Sequence, residues 1–265
     1  MYLSPFKLNS EDTMFRSHLL YILSVALSIV ARDLKVLLHK TRFSDFNIQD
    51  PSIVSAISTK LGSTTHYHAL QLTAVSDVQV WLLTDTAMQA THVAKWRPAS
   101  RRGTEEVESL VSLYNLHPDL WRDSDFCIPE LILDLRNSYD RRTGFLLLAK
   151  KARGEPLTTY IFKAATSHDV AASQLVYLAC RNVAMNMCKF HKHYGKQHGD
   201  MHSSNVIVDE YGNVRFIDVA TMGKSDVADL TYFTNSLRRL EQAYNFSPLP
   251  KWSELYIVIL ESYRC

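Results

Sequence analysis

The stretch VIVDEYGNVRFID, residues 206 to 218, limits the possible folds of this chain more than any other segment. Two short strand-forming runs, VIV and VRFI, flank a turn that carries Asp209, Gly212 and Asn213. That chemistry predicts a hairpin with strands at 206–208 and 214–217. A hairpin of this length folds its far end, Asp218, back beside its start, Asn205, so two oxygen-bearing side chains thirteen positions apart share one end and can share one ion. Directly upstream, HGDMHSSN (198–205) crowds His198, Asp200, His202 and Asn205 around a glycine. Such a cluster suits a polar surface turn, a metal site or the catalytic loop of a transferase.

At 265 residues the chain can bury a sizeable core, as one two-lobed domain or two small ones. With 46% hydrophobic and 21% charged residues it has a globular composition, and no internal repeat is present. Lys plus Arg (29) nearly balance Asp plus Glu (27), leaving +2, which gives no support to a nucleic-acid partner. Cys127, Cys180, Cys188 and Cys265 form no CxxC pair and read as free thiols in a cytosol-like compartment.

The apolar stretch Leu19 to Ala31 (LLYILSVALSIVA) runs thirteen residues without a charge. As a helix it would reach about 20 Å, short of the roughly 30 Å hydrocarbon core of a bilayer. It therefore reads as a buried or docked helix. Two alternatives stay open: peripheral membrane contact through residues 17–31, and a processed leader if translation starts at Met14.

Residues 1–60 read as a helical extension, with Asn9, Ser10 and Asp12 as capping groups ahead of a helix over Phe15 to Leu38. After Gly62 the pattern turns to β-rich runs at 67–75, 78–84 and 91–96. In RRGTEEVESLVSLYNL, Val107, Leu110, Val111 and Tyr114 recur at helical spacing behind a capping signal at Thr104. Pro129 opens another apolar run, and FLLLA (145–149) reads as a buried strand. Between Ala171 and His191, the stripe Leu175, Leu178, Ala179, Val183, Met187 and Phe190 marks a core helix leading into HGDMHSSN. His191 and His193 read as helix-end residues, and a further helix is expected over 226–243.

HGDMHSSNVIVDEYGNVRFID resembles the HGDxxxxN catalytic loop and following metal-binding Asp of the protein kinase-like superfamily, in the version of aminoglycoside phosphotransferases and of sugar, choline and lipopolysaccharide kinases. Val93-Ala94-Lys95 is similar to that superfamily's strand lysine, EEVESLVSL to the helix supplying its Glu partner, and LLLAKKARGEPL to the strand and hinge ending in a G-x-x-L connector. The resemblance covers about residues 62 to 235. It implies an α+β, two-lobed kinase-like fold: a β-rich lobe over 61–152, a shortened, mainly helical lobe over 153–265, and ATP between them.

By the same resemblance, Asp200 orients or deprotonates the acceptor hydroxyl, and Asn205 and Asp218 hold Mg²⁺. Lys95 contacts the α/β phosphates with Glu106 fixing it, and the hinge residues Ala149 and Lys151 border the nucleotide. Glu105 and Glu108 compete with Glu106 for the lysine. Asp229 resembles a buried Asp that steadies the catalytic loop, with a solvated helix residue as the alternative.

Elementary chemistry fits these roles. Phosphoryl transfer spreads negative charge over phosphate oxygens, so cations must be placed beforehand and a carboxylate must aim the nucleophile. Magnesium takes oxygen ligands and keeps some waters, so one Asp and one Asn suffice beside the phosphates. A lysine in a cleft needs a carboxylate to offset its burial. His198 is expected to hold the loop backbone, and His202 either meets the transferred phosphate or lies on the surface.

The chain also departs from the pattern. LGSTTHYH offers one glycine where G-x-G-x-x-G is usual, Val219-Ala220 replace Phe-Gly after Asp218, and 47 residues, 219 to 265, follow. The leading expectation is an ATP- and Mg²⁺-dependent phosphotransferase acting on a hydroxyl of a small molecule, sugar or glycan. A compact effector-type protein Ser/Thr kinase and an inactive pseudokinase scaffold are the alternatives. A zinc hydrolase using His193, His198, Asp200 and His202 follows no established ligand spacing.

Overall fold

The computed structural model describes residues 46–61, 67–75, 78–85, 87, 89–121, 125–137, 139–167, 170–223, 228–244 and 251–265. The expected helix over 15–38, the membrane-contact segment 17–31 and the single-glycine turn at 62–66 lie outside the described residues.

The first described helix, α1 (Pro51–Leu61), starts where the sequence Asp50-Pro51 dictates. The Asp50 carboxylate accepts the Ser52 N–H at 2.9 Å, and proline at the first helical position has no N–H to leave unpaired. Strands β1 (His68–Val75), β2 (Val78–Thr84) and β3 (Ala90–Pro98) follow, then α2 (Arg101–Leu116), the short β4 (Phe126–Cys127), β5 (Pro129–Arg136) and β6 (Arg142–Lys150). Five of these strands make one antiparallel sheet in the order β1-β2-β3-β6-β5.

Both faces of this sheet are covered, which explains the unbroken FLLLA run. Phe145 and Leu147 of β6 face the core that includes Val107, Leu110 and Leu113 of α2. Leu146 and Leu148 face the opposite core with Ile53, Ala56 and Ile57 of α1. Alternate residues of one strand thus bury in different cores, and a polar face has no place. Helix α1, expected within the 1–60 extension, is therefore part of the sheet lobe's core.

Helix α2 begins one turn earlier than the Thr104 signal. Ser100 is its N-cap, with extended backbone and its hydroxyl accepting the Gly103 N–H at 3.2 Å. Gly103 permits the helix to start against β3, since a Cβ there would lie 2.3 Å from the Pro98 carbonyl oxygen. The side chains of α2 consequently meet those of β3 directly.

The second lobe holds β7 (Glu155–Pro156), α3 (Leu157–Ser167), α4 (Val170–Tyr194), β8 (Val206–Val208), β9 (Val214–Ile217), α5 (Asp229–Tyr244) and α6 (Trp252–Ser262). A small sheet, β4-β9-β8-β7, carries the expected hairpin, with Val206 paired to Phe216 and Val208 to Val214. Its turn is closed by Asp209, whose Oδ1 accepts the N–H groups of Tyr211 and Asn213, both at 2.9 Å. Helix α4 buries Ala179, Val183, Met187 and Phe190 as expected, whereas Leu175 and Leu178 sit half-buried at the edge of the stripe. Among the described residues no helix is long and apolar enough to cross a membrane.

The cysteine reading is corrected. Cys188 and Cys265, 77 residues apart, are joined in a disulfide with Cα atoms 5.4 Å apart, and only Cys127 and Cys180 are free. The spacing, with no CxxC pair, hid a pair brought together by the packing of α6 on α4.

The connector G-x-x-L is held in place by Gly154, at φ +104° with an added Cβ 1.9 Å from the Val208 carbonyl oxygen. Gly154→Ala should therefore cost about 2 kcal/mol or more, through positive φ and displacement of β8 together. Urea unfolding of the variant checks this; an unchanged midpoint would contradict it.

Candidate active site

The site is built from β3, α2 and the hairpin. Lys95 and Arg97, two apart on β3, lie on one face of the strand and meet α2. Lys95 Nζ is 2.8 Å from Glu106 Oε1, and Arg97 Nε is 2.6 Å from Glu106 Oε2, close enough for an ion pair though off the N–H axis. The Glu106 side chain is 9% exposed, so two cations compensate one desolvated carboxylate. Of the three candidate glutamates Glu106 is the one at the lysine. Glu105 instead pairs with Arg101 along the exposed helix face, and Glu108 is exposed.

The same ammonium reaches the other lobe, with Asp218 Oδ1 and Oδ2 at 3.1 and 3.2 Å. Asp218 adopts a left-handed backbone, φ 63° and ψ 47°, a conformation Asp tolerates better than most residues. It ends the hairpin opposite the segment Ser203–Asn205, a one-turn 3-10 helix that enters β8. Asn205 Nδ2 donates to the Asp200 carbonyl at 2.9 Å and to Asp200 Oδ2 at 3.2 Å. The hairpin register thus gathers Asp200, Asn205 and Asp218 at one end.

His202 faces Asp200. Its Nδ1 accepts the Ser204 N–H at 3.3 Å, which leaves Nε2 toward Asp200 Oδ1 at 3.7 Å. The His202 ring, with smaller help from His198 and Asn205, holds the Asp200 carboxyl below its ordinary value despite partial burial. Asp200 is therefore a carboxylate at neutral pH, an acceptor able to aim a hydroxyl.

His198 is fully buried: Nε2 donates to the Ile217 carbonyl at 2.9 Å, and Nδ1 accepts the Asp200 N–H at 3.4 Å. Asp229, also fully buried, accepts the N–H groups of His198 and Gly199 at 2.5 and 2.8 Å. Burial alone would raise Asp229, but these bonds and one from His191 outweigh it and lower its pKa. Of the two readings of Asp229, the geometry is that of the loop-steadying residue.

The oxygen donors suit magnesium. Asp218 supplies a carboxylate, and Asn205, its amide nitrogen tied to Asp200, presents its oxygen away from that bond. They do not suit zinc: His198 has both nitrogens engaged, and His193 pairs with Asp119 at 2.6 Å. Among the described residues no three His, Cys, Asp or Glu side chains are placed together to hold a metal.

At the hinge, Ala149 lies opposite Val93 within the sheet, while the Lys151 N–H donates to the Thr91 carbonyl at 2.9 Å. Lys151 is left with its carbonyl, not its N–H, for a ligand. Arg97 is the site residue that the sequence reading missed, and its period-2 spacing from Lys95 is the signal that marks it. His191 was read only as a helix end, and nothing local in the sequence joins it to Asp229.

No protein-family model matches the chain, and no curated protein matches it. Among solved structures, the ROP18 kinase domain in complex with AMP-PNP and sucrose is 15% identical over 61% of this chain and 53% of that chain, with a TM-score of 0.45. The BubR1 kinase domain is 13% identical over 87% of this chain and 63% of that chain, with a TM-score of 0.47. The chain thus spans between half and two thirds of the length of those two structures. The chain itself shows a mixed α/β architecture, a β-sheet lobe followed by a mainly helical part, with Lys95 and Glu106 paired where α2 meets β3.

Burial lowers the pKa of His198 from 6.5, only partly offset by Asp229, so the folded protein keeps it neutral where the unfolded chain protonates it. Stability from this residue is full above about pH 6.5 and is lost as pH falls from there through the folded value. Unfolding free energy should therefore decline more steeply from about pH 7.5 to 5.5 in the wild type than in His198→Gln. Parallel profiles from denaturant titrations would contradict it.

Proposed function

We propose that this chain is an ATP- and Mg²⁺-dependent phosphotransferase whose acceptor is a hydroxyl on a small molecule, sugar or glycan. The observation that carries this reading is the position of Lys95, within 3.1 Å of both Glu106 and Asp218 at the end of the hairpin that the loop of Asp200 and Asn205 enters. A cation, an ion-binding carboxylate and a separate carboxylate for the nucleophile are what phosphoryl transfer needs in one place.

In this mechanism Lys95 binds the α/β phosphates of ATP, kept extended by Glu106. Asp200 accepts a hydrogen bond from the acceptor hydroxyl and aims its oxygen at the γ-phosphorus. The new O–P bond forms as the bond to the β-phosphate oxygen breaks, and the hydroxyl proton passes toward Asp200. Asp218 and Asn205 would hold Mg²⁺, which would supply charge neutralisation at the phosphates when bound. A polyhydroxy acceptor is supported by His202, 3.7 Å from Asp200, and by the Ser204 and Thr158 hydroxyls, 2.9 Å apart, which add short hydrogen-bonding groups on the same loop and on α3.

A second reading, a nucleotide-binding scaffold without transfer, draws on the single glycine in LGSTTHYH.

Labelled γ-phosphate transfer from ATP to a panel of sugars, amino-sugars and the protein itself separates these readings. Wild type should label a hydroxyl compound, and Asp200→Asn should transfer at least about 100-fold more slowly. Label found only on protein would mark a protein acceptor. Equal transfer by both chains would contradict the mechanism, and a nucleotide-induced rise in melting temperature without any transfer would favour the scaffold.

A further inference from the structure

We infer that residues 263–265 form a clasp that positions the acceptor loop: Tyr263, pinned beside the Cys188–Cys265 disulfide, orients His191, and His191 orients the Asp229 carboxylate that carries the loop backbone. Only the kinetic consequence rests on the phosphotransferase reading.

The clasp meets one face of α4. Cys188, His191 and Lys192 are spaced i, i+3 and i+4, so they stand together on the helix. Each meets one of the three consecutive residues after α6. Cys265 bonds covalently to Cys188, the Tyr263 hydroxyl lies 2.6 Å from His191 Nδ1, and the Arg264 carbonyl accepts from Lys192 Nζ at 3.4 Å. Three consecutive residues are thus each tied to the same helix face by a covalent or polar contact. The Tyr263 ring also stands edge-on to the imidazole, with centroids 5.8 Å apart and planes at 71°.

The direction of the hydrogen bonds follows from chemistry. An ionised carboxylate only accepts, so His191 Nε2 donates to Asp229 Oδ2 at 2.8 Å. The other ring nitrogen, Nδ1, is left to the Tyr263 hydroxyl at 2.6 Å. The Asp229 side chain is 1% exposed and that of His191 10%, so water does not readily replace a lost partner. At the far side of Asp229, its two oxygens take the N–H groups of His198 and Gly199, the residues immediately before Asp200. A hydroxyl on residue 263 is thereby connected to the backbone that aims Asp200. Tyr263 and His191 are positioning residues, since neither touches the reacting groups.

Hydrogen–deuterium exchange on the full chain tests this, in wild type, Tyr263→Phe and Cys265→Ser. Tyr263→Phe keeps the ring and the disulfide and removes only the hydroxyl. In both variants the amides of His198 and Gly199 should exchange about fivefold faster or more, while those of Leu146 to Leu148 in β6 stay protected as in wild type. With water as acceptor, Mg²⁺-dependent ATP hydrolysis by Tyr263→Phe should show kcat reduced severalfold and KM for ATP unchanged. Faster loop exchange in a protein whose wild type transfers no phosphate to water or to any compound of the acceptor panel would uphold the clasp and defeat the phosphotransferase reading. Unchanged loop exchange in Tyr263→Phe would overturn the clasp, as would equal acceleration in β6, which would mean general loosening.

Discussion

One ammonium group, Lys95 Nζ, joins the two halves of this protein. On its own lobe it meets Glu106, and across the cleft it meets Asp218. Each partner is positioned by a different element, α2 by packing on the sheet and Asp218 by the hairpin register. Arg97 adds a second cation on Glu106, so rotation of α2 would strand two buried charges. Buried ion pairs add little net stability, but breaking one typically costs about 3–5 kcal/mol. The cluster therefore acts chiefly to specify one arrangement of strand, helix and hairpin.

On the other side of the cleft, polar groups set the loop geometry. His198 ties the loop to the Ile217 carbonyl, and Asp229 gathers two successive backbone N–H groups. Thr221 Oγ1 donates to the His198 carbonyl at 3.1 Å, closing the loop against the segment after Asp218. Unpaired, each of these buried groups would cost more than its bond contributes, which is why the network is close to fully paired. Asp218 itself sits in a left-handed conformation among these restraints, where its carboxylate can meet Lys95.

Local patterns revealed most of the frame. The hairpin at 206–217 follows from turn chemistry, the strands after Gly62 from β-rich runs, and the buried β6 from its uninterrupted apolar residues. Lys95, Glu106, Asp200, Asn205 and Asp218 stand in the chain as a spaced set; the fold joins Lys95 to Glu106 and Asp218, and Asn205 to Asp200, at the two sides of the hairpin's end. Choosing Glu106 over Glu105 and Glu108 needed the phase of α2, which its N-cap at Ser100 fixes. What stayed hidden depends on contacts distant in sequence. The Cys188–Cys265 bond and the Tyr263–His191–Asp229 chain join α4 to segments 38 to 77 residues away, and no periodicity encodes such pairs.

The most direct measurement of the central claim is a calorimetric titration of ATP into the wild type and Asp218→Asn, each with and without Mg²⁺. The geometry predicts that Mg²⁺ strengthens binding to the wild type, and that this dependence is lost when the Asp218 carboxylate is replaced. Equal ATP affinity under all four conditions would contradict a magnesium-dependent phosphotransfer site.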